Sequence, residues 1–568
     1  MKKMAFVSII MVMMAALAFA GGGTQSTATA ATGNATYTFE FYNQAANYMG
    51  LQTGWFGKIM KDKFNLVQNI IAPQTAGDGR QLYQTRTSSG NLGDVILLDN
   101  ADFIDCINAG LIKDITELVK GYPHLMRLVN DHPAVKTWNN AVEGANGKIY
   151  GFPLQIATTS PTGYSEELAY TSPLIPWDYY TGIGRPEMKT LDDLLDVLDL
   201  MIKKYPTNPA GDKAYPLSLW NSWDSNSGIE NILQLTKWYG QEINGSISID
   251  YNGVIKDAVD DAGAYHKIAN FFYKANQRGL VDPDSFAQTW DSVNTKHTAK
   301  RVYLLWNIWM RGFWNTTDRA NQGDAYISIP IADMAIYQPS DMYFGDGRVW
   351  GIGSKVSEAN TKRLLEYMDW LASPEGLTIV HSGLKDFNYT VGTNGKYTRI
   401  NENALMDNKE VPTLYGGGGY QDGMNAMNQW LIHAVSINPD TGESYVWDYW
   451  SSTIEKNKTK MTNEWAAHYS ASNVIDYMQN KGILKVVPSV NAVLPSDPTD
   501  IALIRGQCGT ILRDYSWRMI FARNDAEFNA TWADMKRQMI GLGWNDLVAF
   551  DTSKYQKVVD MRNAALGR

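Results

Sequence analysis

The stretch Gly-Asp-Val-Ile-Leu-Leu-Asp-Asn at residues 93–100 runs from a turn through four apolar residues to an acidic and an amide side chain. A short apolar run of this kind is typical of a strand buried in a parallel sheet. Residues 36–41 and 67–72 are predicted to be earlier strands, and residues 78–88 a helix between strands. Strands that alternate with helices indicate βαβ units, so the predicted fold class is α/β.

The loops that follow these strands supply candidate ligand-binding side chains. Ligands bind to open α/β sheets at the carboxyl ends of strands, which brings loops 43–48 and 99–102 to one rim. Asp and Asn are also preferred helix N-caps, so residues 99–102 are compatible with capping alone. The candidates from this rim are Asn43, Asn47, Tyr48, Asp99 and Asn100.

The N-terminus has the layout of a secretory signal peptide. Lys2 and Lys3 precede an apolar run, and Ala18-Phe19-Ala20 places small residues where a signal peptidase cleaves. We therefore expect a signal peptide at 1–20, a flexible tether at 21–35 and a periplasmic or secreted protein. No cysteine follows the predicted cleavage site, so a lipid anchor is not expected. An uncleaved anchor is the alternative, although the run is shorter than the ~20 residues of a membrane span.

Net charge, chain length and cysteine count limit the possible functions and domain organisation. The formal net charge is −9, and removal of residues 1–20, with two lysines and no acidic residue, makes it −11. An excess of acid without basic clusters argues against binding to nucleic acid or anionic lipid. The chain is longer than a single core supports, which predicts two or more domains. Cys106 and Cys508 are expected to be unpaired thiols, with one disulfide as the alternative.

Several short motifs follow the opening stretch in a fixed order. They are AGLIKDIT at 109–116, NGKIYGFP at 146–153, WDYY at 177–180, GRPE at 184–187, TLDDL at 190–194, GLVDPDSF at 279–286, GIGSK at 351–355, YMDWL at 367–371 and SPEG at 373–376. Each motif is weak by itself, but their order is specific. Together with residues 93–98 they resemble extracellular solute-binding proteins of ABC transporters, the sugar-binding, maltodextrin-binding-like class with its large lipoprotein-type members.

The resemblance implies a two-lobed periplasmic-binding-protein fold of type II. Each lobe would be a mostly parallel sheet flanked by helices, with a hinge between the lobes. We expect lobe 1 at 36–154 plus 326–395 and lobe 2 at 155–325 plus 396–568; the resemblance thins after residue 395. The resemblance also implies capture of a small polar ligand by hinge closure and delivery to a membrane permease, by a protein that we expect to be monomeric.

Aromatic residues beside polar ones predict an oligosaccharide ligand. Sugar hydroxyls need planar donors and acceptors, whereas the C–H faces of sugars suit aromatic rings. Peptide is the competing ligand, and burial in the core is the alternative for any single tryptophan. The further candidates, most of them from residues 219–226 and 306–312, are Gln155, Trp220, Trp223, Asp224, Trp306, Trp309, Arg311 and Trp350.

Signals for an enzyme are weak. The sequence lacks H-E-x-x-H, G-x-S-x-G, the P-loop and G-x-G-x-x-G, so we expect no catalytic residue and no cofactor. Residues 205–212 correspond to a calcium loop in large members of the class but hold too few carboxylates, so we expect no metal. With 59 acidic residues a pair at glycosidase distance is inevitable. A secreted glycoside hydrolase or polysaccharide lyase therefore remains the alternative.

Overall fold

The computed structural model describes most of the chain after the N-terminal segment. The predicted signal peptide and the tether up to residue 34 lie outside the described residues. Within the described ranges, no helix combines the length and the apolar character needed to cross a membrane. The described residues are 35–46, 48–73, 79–141, 147–158, 160–165, 168–401, 404, 408–426, 430–492, 494–495 and 497–568.

A six-stranded mixed sheet lies at the centre of the first part of the chain. The opening stretch forms the strand Val95–Asp99, whose four apolar residues are all buried, as the sequence predicts. This strand is parallel to Tyr37–Asn43 and antiparallel to Arg348–Ile352, which returns from far along the chain. In sheet order the strands are Gly50–Leu51, Leu66–Ile71, Tyr37–Asn43, Val95–Asp99, Arg348–Ile352 and Gly151–Pro153.

Helices cover this sheet, and side-chain caps fix where several of them begin. Ser357 and Ser373 each accept a hydrogen bond from the backbone three residues later, an arrangement that stabilises a helix by about 1 kcal/mol. Gly351 is required because the Phe103 ring lies 2.5 Å from the place of a Cβ. The helices are Gly54–Phe64, Gly79–Ser88, Asn100–Asn108, Pro123–Asp131, Pro133–Ala141, Glu358–Leu371, Pro374–Ser382 and Ser451–Lys456.

A second core is built mainly from helices. Its sheet has the strand Thr171–Pro176, fully buried, between Leu305–Asn307 and Tyr326–Ser328, and both pairings are antiparallel. This small antiparallel sheet differs from the mostly parallel sheet that was expected, because amphipathic helices rather than further strands cover the core. The helices are Trp177–Gly182, Leu191–Lys204, Glu230–Thr236, Ala264–Gln277, Trp290–Thr298, Thr317–Gln322, Lys460–Tyr469, Val474–Asn480, Thr499–Ile520, Asp525–Gly541 and Trp544–Ala565.

Smaller strand groups complete the structure. Three of them are antiparallel, and one pair is parallel. The antiparallel groups are Gln241–Asn244 with Ile247–Asp250 and Ile255–Asp257, Tyr389–Val391 with Tyr397–Arg399, and Ile437–Asn438 with Glu443–Ser444; the parallel pair is Ile336–Pro339 with Leu484–Val487.

Buried apolar residues form two main cores, and their membership moves two of the expected lobe boundaries. Residues 404–445, expected in lobe 2, pack into the first core through side chains such as Tyr420 and Leu431. Ala325 to Ile336, placed mostly in lobe 1, pack into the second core instead. The cause is strand pairing, because Tyr326–Ser328 completes the second sheet. Buried free thiols lie in separate clusters, at Cys106 and Cys508.

Four chain segments lie side by side between the cores. The Ile156 N–H donates to Leu431 O at 3.1 Å, and the Ala157 N–H donates to Met342 O at 2.8 Å. Ser489 joins the same group through its N–H, which donates to a side-chain hydroxyl at 2.9 Å. Hydrogen bonds therefore join these segments to one another.

Candidate binding site

Two fully buried tryptophans form the base of an aromatic cluster in the second core. Trp220 and Trp306 stack with ring centroids 5.3 Å apart and planes 3° apart, and both are fully buried. The Trp306 indole donates a 2.5 Å hydrogen bond to Gln234 Oε1, which fixes its orientation. Since neither ring has an exposed face, these two predicted residues support the site and do not themselves offer a contact surface.

Three further tryptophans lie on this base and reach solvent. The Trp290 ring centroid is 4.7 Å from that of Trp223 and 5.1 Å from that of Trp309. Trp223 is 38% exposed, and the other two are half-buried. The Trp290 N–H donates to Ser222 Oγ at 3.0 Å, which holds the helix start against the Trp223 loop. We call Trp223, Trp290 and Trp309 the indole platform.

A buried histidine lies behind the platform. The His297 ring centroid is 5.5 Å from Trp290 and 6.4 Å from Phe313. Neither of its ring nitrogens has a hydrogen-bond partner among the described residues. Burial lowers the pKa of His297 to about 3, so the ring is neutral at pH 7 and packs as an apolar group.

The charge of Arg311, two residues after Trp309, acts on Asp448 in the turn Trp447–Tyr449. Desolvation raises the pKa of Asp448, while the charges of Arg399 and Arg311 lower it. The Asp448 side chain is exposed, and Arg399 stacks on the Trp447 ring at 3.5 Å. These three charged groups therefore lie near one another.

Two of the predicted rim residues are occupied by local hydrogen bonds. Asn43 is fully buried, and its Oδ1 accepts from the Ala45 N–H at 2.9 Å. Asp99 caps a helix through the Asp102 N–H at 2.9 Å and also accepts from the Gln44 side chain at 3.1 Å. Of the two readings of this turn, the described contacts support capping.

The other rim candidates lie nearer the surface. The Asn100 N–H donates to Gly347 O at 2.9 Å, which leaves its side chain at the rim. The Tyr48 hydroxyl donates to Leu51 O at 3.1 Å. Asn47 lies outside the described residues. Asn100 and Tyr48 thus remain the rim candidates that a ligand could reach.

Gln155 lies in one of the segments between the cores. It adopts a φ of 54°, and its side chain donates to Asp346 Oδ2 at 2.7 Å. Its N–H donates to Trp430 O at 2.7 Å. These contacts join three of the segments between the cores and engage the side chain that was predicted to bind the ligand.

Trp350 lies away from the platform. It is fully buried on the strand Arg348–Ile352 and packs against Phe41 at 5.9 Å and Tyr367 at 6.2 Å. Its side chain points out of the sheet plane and is covered by the first core, which includes residues of the helix Glu358–Leu371. Its position argues against the predicted ligand contact and assigns Trp350 to the first core.

Asp224 points away from the platform, although it neighbours Trp223. Its carboxylate accepts from the Trp517 indole at 2.8 Å and from the Glu230 N–H at 3.1 Å. Burial raises the pKa of Asp224 to about 6, against the opposing effect of these two hydrogen bonds. Asp224 therefore anchors the helix Thr499–Ile520 rather than the platform.

Sequence analysis missed several residues of this site. Trp290 is distant in sequence from the other platform residues, and no local pattern marks it. Trp447 and Asp448 belong to the stretch Trp-Asp-Tyr-Trp at 447–450, which pairs indoles with a carboxylate. This stretch has the same combination of indoles and polar side chains as residues 219–226.

The loop at residues 205–212, where we expect no metal, is stabilised by Asn208. Asn208 Oδ1 accepts from the Ala210 and Asp212 backbone N–H groups at 3.1 and 2.7 Å. Among the described residues, no group of three or more metal-ligating side chains comes together. The Asn208 side chain thus stabilises the turn of residues 208–212.

A protein-family profile for bacterial extracellular solute-binding proteins matches residues 58–393. A curated relative is the fructooligosaccharide ABC transporter substrate-binding protein FusA of Streptococcus pneumoniae serotype 4, which is 27% identical over 229 residues. That match spans 39% of this chain and 40% of the relative, so it covers less than half of either protein.

Solved structures share the fold over nearly the whole chain. S. pneumoniae FusA in complex with kestose superposes with a TM-score of 0.60 at 16% identity, covering 93% of this chain and 100% of that one. A human-milk-oligosaccharide-binding, ABC-transporter-associated protein of Bifidobacterium longum infantis gives 0.60 at 15% identity, covering 92% and 98%. The alginate-binding protein AlgQ2 gives 0.57 at 15% identity, covering 92% and 98%.

Proposed function

Because the chain belongs to the bacterial extracellular solute-binding protein family, we propose that it captures an oligosaccharide between its two cores and delivers it to an ABC transporter. The predicted resemblance is thereby confirmed at the level of the family, and the two-lobed fold is confirmed by the solved structures. The ligand class, the site residues and the transporter partner are the proposed part.

The observation that supports a sugar is the indole platform. Three partly exposed indoles rest on two buried ones, so the rings are already ordered before a ligand arrives. Pre-ordered aromatic faces suit the C–H faces of pyranose or furanose rings and lose little conformational entropy on binding. Fructooligosaccharide binding by the relative FusA is consistent with this ligand class.

Asp448, Arg311 and Arg399 are the proposed polar half of the site. A carboxylate accepts hydrogen bonds from sugar hydroxyls, and the guanidinium groups of Arg311 and Arg399 donate to ring and hydroxyl oxygens. Since Arg311 belongs to the second core and Asp448 to the first, a ligand between them contacts both. Closure is then favoured by contacts that form only in the closed state.

A peptide ligand would need a different arrangement. Charged peptide termini call for a separate cation and anion at opposite ends of the site. Arg311 and Arg399 instead both act on the same carboxylate, Asp448. This grouping favours a chain of hydroxyls over a zwitterion.

We infer export and a membrane permease as partner from the family. We infer that residues 1–20 direct the chain out of the cytoplasm and that the mature protein acts as a monomer outside the membrane. The permease would recognise the closed pair of lobes, because closure changes their joint surface. Membership in a family of solute-binding proteins also sets aside the glycosidase and lyase alternatives.

Calorimetric titration of the full mature chain tests this proposal. The probes are kestose, lacto-N-tetraose, maltotriose and a dipeptide mixture. We expect binding of at least one oligosaccharide and a loss of about 1–3 kcal/mol of binding free energy in Trp309→Ala. The matched control is Trp532→Phe, which removes an indole of the same core that hydrogen-bonds Asp261 away from the platform.

The outcomes separate the alternatives. Binding of dipeptides without any sugar would reject the ligand class and leave the family role intact. Equal affinity in Trp309→Ala and Trp532→Phe would reject the platform as the contact surface. Release of shorter sugars during incubation with a polysaccharide would reject the non-enzymatic role.

A further inference from the structure

A cavity that none of the platform residues lines lies on the second core, beside the loop that carries Trp223. Its volume is about 810 Å³, within the ~300–1,000 Å³ of typical ligand pockets. It lies between residues 221–226, residue 286 and the helix Thr499–Ile520. Its lining residues are Asn221, Asp224, Ser225, Asn226, Phe286, Arg513, Asp514, Trp517 and Arg518.

Close contacts make the walls of this cavity rigid. At Gly509 a Cβ would lie 2.6 Å from the Asn226 Cα, so glycine allows the loop to touch the helix. Arg513 donates to Ser225 O at 3.0 Å and to Asn226 Oδ1 at 2.9 Å. The loop and the helix are therefore fastened at two points, and the space between them is preformed.

The cavity has an aromatic side. Phe286 is 59% exposed although its ring meets Trp517 at 5.8 Å, edge to face. The Trp517 indole is held by Asp224 at 2.8 Å. An exposed phenylalanine on a fixed indole gives a small platform of the kind that sugar C–H faces require.

The polar side of the cavity carries balanced charge. Two arginines and two aspartates line it, beside the amides of Asn221 and Asn226. The Asn221 amide nitrogen already donates to Phe286 O at 2.9 Å, which leaves its oxygen as an acceptor. Phosphate or uronate groups would need an excess of cations, whereas a neutral polyol suits paired donors and acceptors.

We propose that this cavity is an accessory site for a neutral saccharide, distinct from the indole platform. Phe286 is the contact ring, and Asn221, Asn226 and Arg513 are the hydrogen-bonding groups. The ligand class rests on the proposed function, but the cavity stands on its own geometry. A long or branched oligosaccharide held at the platform would meet this second site around the 221–226 loop.

Fluorine NMR of full mature chain labelled with 4-fluorophenylalanine tests the proposal. The Phe286 resonance is identified by its absence in Phe286→Leu, a variant at an exposed position. Titration with maltotriose, raffinose and kestose should shift this resonance with millimolar saturation. The shift should persist in the double variant Trp223→Ala/Trp309→Ala, which weakens the platform. Leu503→Ala, another exposed apolar position on the same helix bundle, is the matched control and should leave the titration unchanged.

The opposing outcomes are equally distinct. Absence of a shift with all three sugars overturns the site, and a shift that disappears in the platform double variant makes it a secondary effect of the cleft. A response to glucuronate but to no neutral sugar overturns the ligand class. If calorimetry finds no platform binding while the Phe286 resonance still shifts, the proposed function fails and the accessory site stands.

Discussion

Trp350 and the indole platform contain the same residue type in opposite settings. Trp350 lies on a central strand with neighbours on both sides and is fully buried. Trp223 and Trp309 lie on a loop and on the 3₁₀ turn Ile308–Phe313, and both rings are partly exposed. Trp220, on the same loop as Trp223, is fully buried as well, so the layers packed over a ring decide whether it is available to a ligand.

The largest expected effect is a loss of stability on substitution of the buried Trp350. Trp350→Ala should lower the free energy of unfolding by about 5 kcal/mol, the upper end for truncation of a buried tryptophan. Urea denaturation measures this loss, with Trp223→Ala as the exposed counterpart. If both variants lost equal stability, the distinction between core and platform would be wrong.

Acid should lower the free energy of unfolding through His297, which packs behind the indole platform. In the unfolded chain a histidine has a pKa near 6.5, whereas folded His297 has a pKa of about 3. The unfolded state therefore binds more protons, and the free energy of unfolding falls as the pH drops from about 6.5 towards 3, by up to about 4 kcal/mol. His297→Phe should remove this part of the pH dependence.

A buried histidine of the first core provides the control. His381 Nε2 hydrogen-bonds Ile432 O at 3.0 Å, and burial lowers its pKa to about 4. His381→Phe should leave the response of platform tryptophan fluorescence to acid unchanged. If His381→Phe instead abolished the response of the platform fluorescence to acid, the acid-sensitive group would lie in the first core.

Trp223→Ala should separate binding from stability. Its ring is partly exposed, so we expect a loss of about 1–3 kcal/mol in oligosaccharide binding and a smaller loss of stability. Calorimetry and urea denaturation of the same preparation measure the two quantities. Trp220→Ala, directly beneath, should show the reverse pattern, since its ring is fully buried.

The smallest effect is expected at the rim of the first sheet. Asp99→Ala removes a helix cap and should cost about 1 kcal/mol of stability. If capping is its whole role, affinity for the oligosaccharide stays unchanged. A tenfold loss of affinity would restore Asp99 as a ligand contact.

The sequence predicted the first core better than the second. The apolar run 95–98 and the motifs that follow it indicate the sheet and the family, because buried strands leave a local signature. The small sheet of the second core combines Thr171–Pro176 with strands from far along the chain. Pairing over such distances leaves no local pattern, so the boundary near residue 326 was misplaced.

The candidate site remains a prediction. Trp223, Trp309 and Arg311 were selected because their neighbours are polar and aromatic. Trp290 was missed because only the folded chain brings it to the platform. Residues 404–445 were assigned to the wrong core because the resemblance thins after residue 395, and burial of Tyr420 and Leu431 is a tertiary property.

The central claim is that a ligand closes two lobes onto each other. The native thiols are buried, so spin labels can be placed selectively at Glu358→Cys on the first core and Arg523→Cys on the second, both exposed positions. Pulsed electron paramagnetic resonance then gives the distance between labels with and without the oligosaccharide that calorimetry identifies. The account predicts a broad distribution that shifts and narrows when the sugar is added. An unchanged distribution at a saturating concentration of that sugar would contradict it.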